Sequence, residues 1–217
     1  MREDLHDEFA RVSGTLVIMA RAVRETMRQA GAALLAADPT LAQQAVDRGV
    51  EIGVLHRVAE DRAYDLVAGR RPAPAGLRMV ITAVNVAADL KRMGELAVHV
   101  ARATLRRNPA PAVTPELAGL FQAMNGVADE LAGKIVAALA GRDAVLAAQL
   151  DGDDDEMDRL HTRLFSVMLS PEWPLGVEAA IDGALLGRYY ERFADRAVNV
   201  GRHVVDLAAD PAGVTRA

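Results

Sequence analysis

Apolar residues recur near the start of the chain at spacings of three and four: Phe9, Val12, Leu16, Met19, Val23, Met27, Ala30 and Leu34. With 3.6 residues to a turn, that spacing lines one face of an α-helix. Asp38-Pro39-Thr40 interrupts the stripe. Asp38 is placed to cap the next helix, and Pro39 suits a first helical position. A second stripe follows through Leu41, Ala45, Ile52, Leu55, Ala59 and Leu66 and stops at the Gly- and Pro-rich residues 69–76, which do not suit a helix interior. A third begins at Leu77, Val80, Ile81, Val84 and Ala88 and runs on to Val98. The pattern predicts three long antiparallel helices.

The same order then returns. Asn108-Pro109-Ala110-Pro111 reads as a linker and Thr114-Pro115-Glu116 as a helix start. Leu34, Asp38, Leu41, Gln44, Glu51, Leu55 and His56 match Leu139, Asp143, Leu146, Gln149, Glu156, Leu160 and His161 at a constant offset of 105. After the mid-half loop the offset becomes 100, pairing Pro74, Gly76, Ile81, Arg92, Ala97, Val98 and Val100 with Pro174, Gly176, Ile181, Arg192, Ala197, Val198 and Val200. One offset on each side of a single shift marks an internal duplication. The expected fold is all-α: two three-helix bundles, residues 1–108 and 109–217, giving six long helices.

Composition narrows the function classes. Hydrophobic residues are 51% of the 217 and aromatics only 4%, which favours helices over a β-sandwich and rules out global disorder. Cysteine is absent, which removes thiolate nucleophiles, Fe–S clusters and Cys-ligated zinc. The net charge of −5 argues against a nucleic-acid binder. The basic pairs Arg70-Arg71 and Arg106-Arg107 are short and sit near helix ends, where the helix dipole favours cations. No signal-peptide core opens the chain, and the apolar run from Leu16 to Ala20 is far too short to span a bilayer. A cytoplasmic protein is expected. P-loop, H-E-x-x-H and G-x-S-x-G motifs are absent, and Ser13, Ser166 and Ser170 lie in no nucleophile setting. The expectation is a binding protein, not an enzyme.

One constellation carries chemistry. Counting in threes and fours from Ile181 gives Ile181, Ala184, Arg188, Glu191, Asp195, Val198, Arg202 and Val205. Glu191 and Asp195 thus lie one turn apart on an apolar stripe, where carboxylates are costly unless paired or bound to a cation. Asp154 and Asp158 repeat the spacing on the preceding helix, so four carboxylates can meet at one locus, with His161 a weaker fifth candidate. Iron, manganese, zinc or magnesium would suit such a cluster. Arg188, Arg192, Arg196 and Arg202 offer the other solution, an ion-pair network without metal. The run Asp151-Gly152-Asp153-Asp154-Asp155-Glu156 lacks the spacing of an EF-hand loop. In the first half the equivalent positions hold Gly49, Gly53, Lys91 and Glu95, so a metal is expected in the second half alone. His99, opposite Asn199 in the repeat, reads as polar core or surface.

At Asp89-Leu90-Lys91-Arg92-Met93-Gly94-Glu95-Leu96-Ala97-Val98 and Tyr190-Glu191-Arg192-Phe193-Ala194-Asp195-Arg196-Ala197-Val198-Asn199, the chain closely resembles the PhoU family. The Asp154-Asp155-Glu156-Met157-Asp158-x-Leu160 element extends the resemblance over nearly the whole chain. The degraded first-half motif and the Glu172-Trp173-Pro174 loop are similar to the actinobacterial branch. The resemblance implies a cytoplasmic adaptor of phosphate homeostasis that restrains the high-affinity phosphate ABC transporter, through its ATPase, and a phosphate-responsive sensor histidine kinase. It implies contact with the membrane only through those partners. It also implies iron or zinc at the acidic motifs, here carried by Asp154, Asp158, Glu191 and Asp195, with magnesium as a further choice for that one site. A homodimer is expected, with no nucleic-acid partner. The alternative is a ferritin-like metal-binding bundle with redox or storage activity, against which stands the lack of Glu-x-x-His on the core stripes.

Overall fold

The computed structural model describes residues 2–70 and 74–208, and the frayed tail expected at residues 210–217 lies outside them. Among the described residues every regular element is a helix: α1 (Arg2–Ala36), α2 (Pro39–Arg70), α3 (Pro74–Arg107), α4 (Pro115–Gly141), α5 (Ala144–Asp153), α6 (Asp155–Met168) and α7 (Gly176–Ala208). The six-helix plan holds, with the fifth helix interrupted at Asp154 to give α5 and α6.

The duplication extends to the turns. After α1, Ala37 takes a left-handed φ of 50°. The Asp38 amide then donates to the Ala33 carbonyl at 3.0 Å. Asp38 Oδ1 accepts from the amides of Thr40 and Leu41 at 2.8 and 3.0 Å, satisfying N–H groups that have no partner inside the helix. After α4, Arg142 repeats the left-handed φ at 51°. The Asp143 amide likewise donates to the Ala138 carbonyl at 3.0 Å, and Asp143 Oδ1 accepts from the Leu146 amide at 2.9 Å. Turns this tight send each following helix back along its predecessor.

The α1 stripe from Val12 to Leu34 is buried as the spacing predicts. On α3 and α7 the buried face is a different one. Val80, Ala83, Val86, Ala87, Leu90, Met93 and Ala97 face the core of α3, while Leu77 and Ile81 are exposed. On α7 the core residues are Leu186, Tyr190, Phe193, Ala194, Ala197, Val200 and Val204, while Ile181 and Leu185 lie outside. Both helices carry apolar residues over more than half their circumference, so steps of three and four fit two neighbouring stripes. The stripe counted from Ile181 is the outer one. Glu191 and Asp195 therefore border the core instead of entering it.

The two halves share one hydrophobic cluster that takes residues from all seven helices. Helix α3 lies along α7, and α1 along α4. Polar contacts cross the same seam. Arg24 grips both oxygens of Asp129 at 2.7 and 2.8 Å, and Arg107 reaches Asp182 and Glu178, each at 2.6 Å. Arg196 donates to the buried Asp89 at 2.9 Å, and His203 stands 3.5 Å from the same carboxylate.

Candidate metal centre

The interruption at Asp154 begins the site. Asp154 keeps right-handed helical angles (φ −68°, ψ −28°) but makes no side-chain cap. Its carbonyl accepts from the Asp158 amide at 3.2 Å, so the two acids follow one another across the first turn of α6. Asp155, Glu156 and Asp158 all occupy that first turn. The positive end of the helix dipole favours carboxylates there, which is why so acidic a segment still folds as helix.

Across from it, α7 presents Glu191 and Asp195. The four carboxylates feel one another. The Asp154 carboxyl is pushed up to about 6, first by burial and then by the charges of Asp158, Asp195 and Glu191. Burial raises Glu191 as well, followed by repulsion from Asp195, with Arg188 and His161 opposing. The four acids that the spacing singled out thus lie within electrostatic reach of one another. Asp158 and Asp195 remain solvent-exposed, whereas the Glu191 side chain is only 16% exposed.

Neutralisation by arginine is incomplete. Arg188 donates to Glu191 Oε1 at 2.6 Å. Arg196 turns instead to Asp89, and Arg202 to Asp151 at 2.5 Å. Arg192 forms no ion pair among the described residues, although it borders the groove beside Asp154 and Asp195. The result is three buried donor atoms without a partner: Asp154 Oδ1, Glu191 Oε2 and His161 Nε2. Buried polar atoms are normally satisfied, so three at one locus point to a missing ligand. Two carboxylate oxygens with one imidazole nitrogen form a donor set that suits a divalent cation. Among the described residues no three such side chains already stand at binding geometry.

His161 is more central than its sequence position indicated. Its ring meets Phe165 edge-on at 5.1 Å between centroids, its Nε2 is buried without a partner, and it bears electrostatically on Glu191. Gly187 makes this possible, because a Cβ there would lie 3.2 Å from His161 Cδ2 and 2.4 Å from Leu164 Cδ2. The i, i+3 spacing from Asp158 was the available signal. The buried surroundings were not legible.

The fold and site define a duplicated helical-bundle protein with a cluster of carboxylates between α6 and α7 in its second half. The PhoU domain model matches the chain twice, over residues 16–104 and 121–204, and the chain belongs to the PhoU family. The phosphate-specific transport system accessory protein PhoU homolog 2 of Mycobacterium tuberculosis is 40% identical over 94% of this chain and 96% of its own length. Homolog 1 of Mycobacterium leprae is also 40% identical, over 94% of this chain and 92% of its own. These relatives agree with the actinobacterial character of the motifs. The crystal structure of PhoU from Pseudomonas aeruginosa superposes with a TM-score of 0.86 at 25% identity, covering 94% of this chain and 98% of that one. PhoU from Streptococcus pneumoniae shares the fold with a TM-score of 0.80 at 22% identity, over 94% and 96% of the two chains.

Proposed function

We propose that this protein is a regulatory accessory protein of phosphate transport. In this reading it holds back the high-affinity phosphate ABC transporter by binding its ATPase, and quiets phosphate-responsive signalling by binding the sensor histidine kinase. The observation that carries the reading is the near full-length likeness to mycobacterial proteins named as accessory proteins of the phosphate-specific transport system. Long helices with broad polar faces supply docking surface in place of a catalytic cleft. No helix among the described residues is long and apolar enough to cross a membrane. Work at the cytoplasmic face, reaching the membrane through partners and acting as a homodimer, completes the reading.

Asp154, Asp158, Glu191 and Asp195, with His161, are the residues that would hold iron, zinc or magnesium. Such a cation would supply positive charge where the arginines do not. The protein's own residues set the rest: the α5–α6 interruption aims Asp154 at α7, Arg188 fixes one oxygen of Glu191, and Gly187 admits the imidazole.

The decisive experiment measures binding of the purified protein to the transporter ATPase and to the cytoplasmic portion of the kinase. Wild type is compared with Glu191→Ala/Asp195→Ala. Micromolar binding by wild type, lost in the folded double variant, supports the adaptor with the acidic groove as its organising element. Binding by both keeps the adaptor and reduces the groove to local structure. Failure of wild type to bind either folded partner sinks the reading.

A further inference from the structure

The duplication places a second groove in the first half, where only Glu95 keeps an acid, at the position of Asp195. Positions equivalent to Asp154, Asp158 and Glu191 hold Gly49, Gly53 and Lys91. The groove they border, between α2 and α3, has a volume of about 390 Å³, against about 250 Å³ for the groove beside Asp154 and Asp195. Val98, His99 and Arg102 line the first where Val198, Asn199 and Arg202 line the second. The two are the same place in two copies of one fold.

Gly53 opens the larger groove, since a Cβ there would meet nothing within 4 Å. Gly49 has the opposite role: a Cβ would come within 2.3 Å of Val98 Cγ2, so the side chain that supplies the acid in the other half is excluded unless Val98 moves. Lys91 and Arg102 both line the groove, and neither forms an ion pair among the described residues. The carboxylate that lines it, Glu95, is held by Arg92 at 2.7 Å. Two unmatched cations thus remain in a half-open concavity that also has an apolar wall of Val46, Val50 and Val98. His99 stands at its edge, stacked on Tyr189 of α7 at 5.1 Å between centroids. Burial and the Arg102 charge lower the His99 pKa, which leaves a neutral ring that can donate a hydrogen bond near pH 7.

We propose that this groove binds a small phosphorylated anion, with Lys91 and Arg102 taking the phosphoryl group and the valine wall taking the body of an organic phosphate ester. Pairing of this kind is charge-assisted, and Arg is suited to bidentate contact with phosphate oxygens. A volume of about 390 Å³ exceeds what orthophosphate fills and falls in the range of small-molecule pockets. The anion site rests on the groove's own residues and would stand if the adaptor reading failed.

The full-length protein is titrated calorimetrically with inorganic phosphate and, separately, with adenosine monophosphate as an organic ester. The variants are Lys91→Gln, Lys91→Glu, Arg102→Gln and Glu191→Ala/Asp195→Ala, each checked for helical circular dichroism. The expected result is saturable binding, weakened roughly tenfold or more by each Lys91 or Arg102 change, as for loss of a charged hydrogen bond, and retained by the double variant. Lys91→Gln keeps the test open should Lys91→Glu not fold. Tighter binding of the ester assigns a role to the valine wall, and equal binding identifies free phosphate as the ligand; both support a phosphoryl site. Absence of saturable binding by either probe at millimolar concentration overturns the proposal. So does binding indifferent to Lys91 and Arg102, or binding lost only in the double variant.

Discussion

Asp154 shows how a single residue can be set against stability. Its carboxyl has an ordinary value of 3.8 and is raised to about 6 in the folded protein. The folded state therefore holds a proton that the unfolded chain has released. Through this group the metal-free protein loses stability as pH rises from about 4 to about 6, and the full cost remains above that window. Thermal melts in chelator across this range should show the decline, and Asp154→Asn should flatten it. A second residue-scale outcome concerns Tyr190, which is fully buried and donates to Asn125 Oδ1 at 2.5 Å. Tyr190→Phe leaves that oxygen without its donor, and urea unfolding should report a loss of about 1–3 kcal/mol. The acids at 154, 158, 191 and 195 were legible in the sequence because their spacing matches a helical turn. That Arg196 and Arg202 would turn away from them was not, because it depends on where Asp89 and Asp151 stand in space.

At the scale of elements, the caps and the close approaches decide where helices begin and how near they lie. Asp143 accepts from the Leu146 amide and starts α5. Asp143→Ala should cost about 1 kcal/mol in chemical unfolding, the usual effect of losing an N-cap. Gly201 lets α7 approach α5 closely, since a Cβ there would sit 2.7 Å from the Ala147 carbonyl oxygen. The contact is with backbone, which cannot rotate away. Gly201→Val should accordingly lower the melting temperature by more than Asp143→Ala does. The first cap could be read directly, since Asp38-Pro39 falls where a stripe stops, and Asp143 is its match in the repeat. The interruption between α5 and α6 was not read, because Asp154 keeps helical angles and the nearby Gly152 stays within α5.

For the whole molecule, the single core and the Arg24–Asp129, Arg107–Asp182 and Arg196–Asp89 contacts join the halves. Far- and near-ultraviolet circular dichroism should trace one coincident urea transition, as expected when no part can lose its neighbour and stay folded. Residues 1–108 expressed alone should expose the α3 and α1 faces that meet α7 and α4, and should aggregate or stay partly unfolded. Two separated transitions, or a cooperatively folded first half, would show that each bundle holds itself together.

The sequence by itself determined the helical class, the duplication with its single shift in offset, the cap at Asp38 and the helical-turn spacing of the four acids. Each of these depends on spacing along one chain, and periodicity reports spacing directly. Only the tertiary structure decided which of two adjacent stripes on α3 and α7 turned inward, because a wide apolar face fits either phase until a neighbouring helix covers it. It also decided that Asp154 Oδ1, Glu191 Oε2 and His161 Nε2 lack partners, and that Lys91 and Arg102 line an open cavity whose one carboxylate, Glu95, is held by Arg92. Those outcomes depend on distances between residues remote in sequence, which no pattern along the chain records.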